Sequence, residues 1–389
     1  MKKLTLASAI AAIGFSMLAG AASAEIKIGF SGVLSGPQAL LGQDQIDGFM
    51  LGLEMRGGKF AGQPVTVLKE DDQTKAELGL QIIRKFIERD KVDALIGLGF
   101  THVMLANAKQ IGESGVVAIS TQGGPTKMAG DGCLANIFYV TQPNAMSAEA
   151  MGKFMMSKGH RKAYVMTSNY QGGKDAIADF KRGYTVPVNE VYTTLNQSDF
   201  SAEIAQLQAA NPDSIFVFYS GGMGINFIKQ LSQAGLMGKL PLYTYATVDG
   251  TSLPALRSAA EGVYASTIWD ASSNTPENKK FVAAFEAKYK RTPSFFSAFG
   301  YDAANLLDEA LKKVNGKTSD KKAFVAAVKA AGKDFKSVRG NFRFGNNNMP
   351  IQDYHVYQVV KKGDGQEFKL AATPLASYQD PFAASCPLK

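Results

Sequence analysis

The chain has 389 residues, of which 46% are hydrophobic, and a formal net charge of +8 at pH 7. This length is enough for two domains of ordinary size. The Lys and Arg residues are spread along predicted helix faces and are not clustered with aromatic residues, which argues against a nucleic-acid-binding protein. The three histidines, His102, His160 and His355, have no ligand-like spacing, so we expect no metal site.

The first 24 residues have the pattern of a secretory signal peptide. Lys2 and Lys3 precede an apolar run over residues 4–18, and Ala22-Ser23-Ala24 matches the small-residue cleavage pattern. The apolar run is short for a bilayer span, and the sequence has no other run of about 18 apolar residues. We therefore expect cleavage after Ala24, export to the periplasm and a mature chain without a lipid anchor.

Alternating elements in the first part of the chain predict a parallel sheet. Residues 26–30 alternate apolar with polar or small side chains and predict a strand, and apolar residues at helical spacing over 46–53 predict a helix. The Gly-, Ser- and Pro-rich loop between them is either an ordinary turn or a place where backbone N–H groups face a ligand. Further strands are predicted at 64–68, 92–98, 116–120 and 137–140. One helix is predicted at 76–87, and another follows Gly99-Phe100-Thr101-His102 and ends at Glu113. This βαβ order places helices on both faces of a parallel sheet.

The same order begins again after Pro143-Asn144. Strands are predicted at 163–167, 188–193, 215–219, 242–245, 263–268 and 354–360, and the region from residue 275 to 331 is mainly helical. We expect two α/β lobes that the chain crosses three times, at 143–144, 270–274 and 346–352. The predicted division is 25–142 plus 272–350 for lobe 1, 143–271 plus 351–375 for lobe 2, and a tail, 376–389, that returns to lobe 1.

The sequence contains two cysteines, Cys133 and Cys386. In an oxidising periplasm an even number suggests one disulfide, which would fix the C-terminal tail to a loop in the first half of the chain. Two free thiols are the alternative.

Several short motifs occur in a characteristic order along the mature chain. They are Ile26-Lys-Ile-Gly-Phe, Leu34-Ser-Gly-Pro, Asp71-Asp72, Ile96-Gly97 before Thr101, Asn169-Tyr170, Asp199-Phe200-Ser201 and Phe216-Val-Phe-Tyr. Together they resemble type I periplasmic solute-binding proteins of the leucine/isoleucine/valine-binding family, the receptors of ABC importers. The resemblance implies two doubly wound parallel-sheet lobes, a three-segment hinge and a cleft that closes on a small solute. It also implies a monomer that delivers this solute to a membrane permease.

The resemblance assigns residues that hold the carboxylate of the solute. In that family these are a hydroxyl residue after the Ile-Gly strand and backbone amides after the next strand, which match Thr101 and Thr121, Gln122 and Gly123. Both positions follow strand ends and face helix N-termini, where partial positive charge and free N–H groups favour an anion. The alternative for Thr101 is that it only caps its helix.

The chain departs from the amino-acid receptors of that family in the second lobe. Those receptors place a carboxylate for the ammonium of the ligand where this chain has Thr247, with Asp249 two residues further on. Leaving a buried ammonium unpaired costs several kcal/mol, so either Asp249 substitutes or the ligand has no ammonium. Leu41 stands where the family often has Tyr. An apolar wall is predicted from Phe100, Tyr170, Tyr219, Met223, Tyr245 and Trp269, although some of these are expected in the core. We expect an aromatic or other organic acid, with a branched-chain amino acid as the alternative.

No catalytic motif is complete. Gly97-x-Gly99 and Gly221-Gly222-x-Gly224 lack the rest of the dinucleotide fingerprint, and neither G-x-S-x-G nor H-E-x-x-H occurs. We therefore expect a binding protein without enzymatic activity or cofactor. A receptor that reports to a signalling partner is a further alternative, because one fold can serve both roles.

Overall fold

The computed structural model describes residues 25–144, 146–340 and 342–388; the predicted signal peptide lies outside them. The first sheet has the strand order β2-β3-β1-β4-β5-β6. Its strands are β1 (Ile26–Gly32), β2 (Lys59–Phe60), β3 (Gln63–Asp71), β4 (Ala94–Gly97), β5 (Val117–Ser120) and β6 (Ile137–Tyr139). Its helices are α1 (Ala39–Glu54), α2 (Ala76–Arg84), α3 (Thr101–Ser114) and α4 (Thr126–Ala129). All neighbouring strands are parallel except the short β2–β3 pair, which confirms the predicted parallel α/β sheet.

The second sheet repeats this architecture and adds an antiparallel edge. Its order is β12-β13-β11-β10-β9-β7-β8, and β14 pairs with β13. The parallel strands are β7 (Ala163–Ser168), β8 (Asn189–Thr193), β9 (Ser214–Phe218), β10 (Leu242–Tyr245) and β11 (Tyr264–Thr267). The helices between them are α5 (Met146–Ser157), α6 (Gln171–Gly183), α7 (Ser201–Ala210), α8 (Gly221–Gln233) and α9 (Leu253–Leu256).

The helices that follow return to the first sheet. They are α10 (Pro276–Tyr289), α11 (Phe295–Lys313) and α12 (Lys321–Ala331). Helix α11 crosses α1 with the two backbones in contact, because a Cβ at Gly48 would overlap the carbonyl oxygen of Ser297 and one at Gly300 would overlap that of Gln45. None of the described helices is both long and apolar enough to cross a membrane.

The C-terminal strands are β12 (Arg343–Phe344), β13 (Pro350–Lys362) and β14 (Gly365–Tyr378). They pair antiparallel, and β13 joins the second sheet through β11. The sequence prediction missed β14 because this strand pairs with β13 alone and most of its residues are exposed or half-buried, so its apolar residues show no clear alternation.

The tail after β14 returns to the first half of the chain. A disulfide joins Cys386 to Cys133, which are 253 positions apart in sequence and have their Cα atoms 5.7 Å apart. Nearby, Asn347 donates to the carbonyl of Ala129 at 2.7 Å, which holds the segment before β13 against the first sheet.

Candidate functional site

A cavity lies where the carboxyl ends of strands from the two sheets face each other, the usual place for a ligand in open parallel sheets. Both sheets and α11 contribute to it. The lining residues are Gly99, Phe100, Thr101, Gln122, Gly123, Thr141, Gln142, Asn144, Tyr170, Phe218, Ser220, Tyr245, Ala246, Phe295, Phe296 and Phe299. None of these described lining residues carries a charge. We call this space the polar-neutral cavity.

The start of α3 supplies one set of hydrogen-bond donors. Phe100 is extended and Thr101 is the first helical residue, so the N–H groups of this first turn have no acceptor within the helix and carry partial positive charge. The amide of Asn144 donates to Thr101 Oγ1 at 2.6 Å, which leaves the hydroxyl proton of Thr101 free to donate. Asn144 Oδ1 accepts from the N–H of Gly124 at 3.0 Å, which fixes the orientation of the amide.

The loop after β5 supplies a second set of donors. Within the described chain, the N–H groups of Gln122 and Gly123 have no protein acceptor. Gly123 lies against the loop after β4, because a Cβ there would come within 2.6 Å of the carbonyl oxygen of Gly99. Gln45 holds the neighbouring side chains: its Nε2 donates to Gln122 Oε1 at 2.7 Å, and its Oε1 accepts from Thr121 at 2.6 Å. The N–H groups of Gln122 and Gly123 are therefore free to donate to a bound anion, as in an oxyanion-binding loop.

The second sheet contributes an aromatic wall. The ring of Phe218 stacks on that of Tyr245, with the ring centroids 4.8 Å apart. Across the cleft, the ring centroids of Tyr170 and Phe100 are 6.0 Å apart. Burial raises the pKa of both tyrosines well above the usual value, so their hydroxyls stay protonated and act as neutral donors. Gln142 donates to the Tyr245 hydroxyl at 3.4 Å, so the segment that joins the two sheets orients this wall.

The start of α11 adds three rings that the sequence analysis did not predict. Phe295, Phe296 and Phe299 line the cavity, and the first two have centroids 4.2 Å apart. In the sequence this Phe-Phe-x-x-Phe pattern reads as the apolar face of a core helix. Gln142 and Asn144 were also missed, since their roles depend on contacts between distant segments. The signal available in the sequence was that these two polar residues lie at, or directly before, the first predicted crossing.

Six of the eleven residues predicted to contact a solute line the cavity, namely Phe100, Thr101, Gln122, Gly123, Tyr170 and Tyr245. The structure places the other five elsewhere. Leu41 lies on α1 and is fully buried in the core, and Thr121 donates to Gln45. Tyr219 lies in the core of the second sheet with its hydroxyl on Thr193, and Thr247 accepts from the Tyr219 N–H at 2.9 Å.

Asp249 faces a different space. Its Oδ1 accepts from the N–H and the hydroxyl of Thr251 at 2.7 and 2.6 Å and from the N–H of Ser252 at 3.1 Å, so it caps its own turn. Burial raises its pKa. It lines a second cavity of about 600 Å³, which we call the acidic cavity, and not the polar-neutral one.

The two halves are closed on each other. Gln38 donates to Asn196 at 3.2 Å, and a Cβ at Gly172 would come within 2.8 Å of Thr101 Oγ1. Gly172 lies in the first turn of α6, where the absence of a side chain allows this close approach. The polar-neutral cavity is only about 40 Å³ in this form. A cavity that holds benzene is roughly 150 Å³, so a ring-sized solute requires the halves to separate further.

A family model described as periplasmic binding protein matches residues 25–364. The chain belongs to this family. A periplasmic binding protein captures a solute without chemically changing it, and the described residues contain no group of three His, Cys, Asp or Glu side chains able to hold a metal ion. The sequence resemblance to solute-binding proteins of ABC importers is confirmed.

Relatives of this periplasmic binding protein align over nearly its whole length. A Leu/Ile/Val-binding protein homolog 6 of Brucella melitensis is 27% identical, covering 98% of this chain and 99% of its own. An ABC transporter solute-binding protein of Rhodopseudomonas palustris, solved with benzoate, is 28% identical with a TM-score of 0.89. The match covers 94% of this chain and 100% of that one. Another, from R. palustris BisB5 with 3,4-dihydroxybenzoic acid, is 28% identical with a TM-score of 0.85. The match covers 92% of this chain and 99% of that one. The chain is thus the solute-binding component of an ABC transporter.

Proposed function

We propose that the chain binds a small aromatic carboxylate that lacks an amino group. The observation that carries this proposal is the lining of the polar-neutral cavity, which offers hydroxyl and N–H donors for an anion but no carboxylate for an ammonium. Burying an ammonium there without a partner would cost several kcal/mol. The benzoate and dihydroxybenzoate in the similar solved structures agree with this choice.

In the proposed binding mode, Thr101 and the N–H groups of Gln122 and Gly123 hold the carboxylate. The ring packs against Tyr170, Phe218 and Tyr245, which line the cavity from the side of the second sheet. Because a solute contacts both halves only when they are close together, binding shifts the population from open forms towards a closed form whose cavity is wide enough for the solute. That closed form is what a permease of the inner membrane would recognise.

The second candidate is a branched-chain amino acid. It is favoured by the likeness to the Leu/Ile/Val-binding homolog of Brucella and by Asp249, which lies four residues after β10. It requires Asp249 to leave its capping bonds to Thr251 and Ser252, whose donors would then be unpaired.

Matched ligand pairs separate the two candidates. Isothermal titration calorimetry would compare leucine with 4-methylpentanoate, and phenylalanine with 3-phenylpropanoate, beside benzoate and 4-hydroxybenzoate. Each pair differs only by the amino group. We expect the acid without the amino group to bind at least about 100-fold more tightly. Tighter binding of the amino acids would overturn the proposal in favour of the second candidate.

We also propose cleavage after Ala24, a monomer, and the two-lobe division 25–142 plus 272–350 and 143–271 plus 351–375. The separate sheets support most of the division, since strands β1–β6 form one sheet and strands β7–β11, β13 and β14 form the other. The short strand β12, which the division places in lobe 1, pairs with β13 of the second sheet. The mass of the exported protein tests the cleavage, and light scattering tests the monomer.

A further inference from the structure

The acidic cavity lies directly beside the polar-neutral cavity. It is lined by the turn after β10, the segment after β11, the connection from α10 to α11 and the tip of the β13–β14 hairpin. Five carboxylates line it, with two basic side chains, Arg257 and Lys362; the carboxylates are Asp249, Asp270, Glu286, Asp364 and Glu367. At about 600 Å³ it is within the usual size range of small-molecule sites.

Among the described residues, Phe295 alone lines both cavities. Two chain segments pass from one cavity to the other at this point. In the first segment, Tyr245 and Ala246 line the polar-neutral cavity, and residues 248–250, one position further on, line the acidic cavity. In the second segment, Ser294 lines the acidic cavity and Phe296 lines the polar-neutral cavity. The two cavities are therefore separated by the place where these segments meet.

The two segments touch through their backbones. A Cβ at Gly250 would come within 2.8 Å of the carbonyl oxygen of Pro293 and within 3.0 Å of the Cα of Ser294. Ser294 is the N-cap of α11, and its Oγ accepts from the N–H of Phe296 at 3.1 Å. This cap fixes the start of the helix, so the buried ring of Phe295 is held beside Phe296 and Phe299.

We propose that Phe295 determines the length of solute that the protein accepts. This inference rests on the proposed function. With Phe295 in place, the ring of an acid held by Thr101 and Gln122 meets a closed wall, so a long substituent has no space to enter. Without the Phe295 side chain the two cavities join, and a substituent extends into the acidic cavity. Because carboxylates predominate there, a neutral substituent is accepted and an anionic one is repelled.

The test is calorimetry of the wild type, Phe295→Ala and Phe296→Ala with three acids. They are benzoate, 4-butylbenzoate with a neutral tail, and 4-(3-carboxypropyl)benzoate with an anionic tail. Phe296→Ala is the matched control, because Phe296 lines the polar-neutral cavity but not the acidic one. The affinity of each tailed acid is expressed relative to benzoate for the same protein.

We expect Phe295→Ala to raise the relative affinity for 4-butylbenzoate by about tenfold or more. Phe296→Ala should leave this ratio near the wild-type value, and the anionic tail should stay disfavoured in every protein. The inference would be wrong if the affinity for 4-butylbenzoate relative to benzoate did not change in Phe295→Ala, or if it changed equally in Phe296→Ala. Either result would leave the proposed function intact. Wild-type protein that binds none of these acids would overturn the proposed function and this inference with it. Circular dichroism checks that each variant folds. If Phe295→Ala does not fold, Phe295→Leu replaces it, with a smaller expected change in the same direction.

Discussion

The polar-neutral and acidic cavities are neighbours at the same cleft, yet they differ in chemistry. The first has no charged lining residue and concentrates its donors at the N-terminus of α3 and the loop after β5. The second is larger and has five carboxylates against two basic side chains. The comparison shows that proximity in sequence is a poor guide to a binding role: Tyr245 and Asp249 are four residues apart but line different cavities.

The largest effect is expected from changing two side chains of the polar-neutral cavity, one that binds the anion and one that holds the anion-binding loop. Thr101→Ala combined with Gln122→Ala should weaken the binding of benzoate by about 2–3 kcal/mol. The first change removes a hydroxyl donor, and the second removes the side chain that Gln45 holds and so loosens the loop whose N–H groups bind the carboxylate. Titration calorimetry measures this change. The matched control is Thr194→Ala with Gln208→Ala, two exposed positions of the second half with the same chemistry. If the two double variants bound benzoate with equal affinity, the proposed anion site would be wrong.

Asn144 should act through Thr101 and not on the solute directly. Since its amide donates to Thr101 Oγ1 at 2.6 Å, Asn144→Ala should cost about 1–2 kcal/mol of binding free energy. A double-mutant cycle distinguishes positioning from a general structural role, because the effect of Asn144→Ala should largely vanish when Thr101 is already Ala. An undiminished effect in that background would show that Asn144 acts independently.

Beside the acidic cavity, Asp44 should make stability depend on pH. Burial raises its pKa from 3.8 to about 6, against the opposing effects of its ion pair with Arg291 and its hydrogen bond from Ser294, and Asp249 adds repulsion. Between these two pKa values the folded protein holds a proton that the unfolded chain has lost. The free energy of unfolding therefore falls as pH rises through about 6.

Urea unfolding at pH 5 and pH 7 tests this dependence. The decline between these pH values should be smaller in Asp44→Asn by about 1 kcal/mol. The exposed Asp131, whose pKa is lowered by Lys127, provides the control variant Asp131→Asn, in which the decline should be unchanged. The same pH dependence in wild type and Asp44→Asn would contradict the assignment.

The smallest effect is expected for Asp249→Asn. Asn retains a carbonyl oxygen for the N–H groups of Thr251 and Ser252, so the turn should survive. The affinity for benzoate should change by less than about 0.5 kcal/mol, the range of substitutions away from a site. A loss of binding greater than tenfold would place Asp249 in the solute site and remove the distinction between the two cavities.

Much of this organisation could be predicted from the sequence where the signal is local. Repeated strand and helix periodicity gave both sheets, and the position of Thr101 after a buried strand pointed to the anion-binding end. The failures have separate physical causes. The roles of Asn144, Gln142 and Phe295 depend on segments far apart in the chain, and the role of Asp249 depends on a local turn that uses its oxygen. Strand β14 was missed because an exposed edge strand has little apolar alternation.

A crystal structure of the protein with 4-hydroxybenzoate tests the central claim most directly. The carboxylate should accept hydrogen bonds from Thr101 and from the N–H groups of Gln122 and Gly123, with the ring beside Tyr170, Phe218 and Tyr245. A carboxylate bound in the acidic cavity, for example at Arg257, would contradict the account.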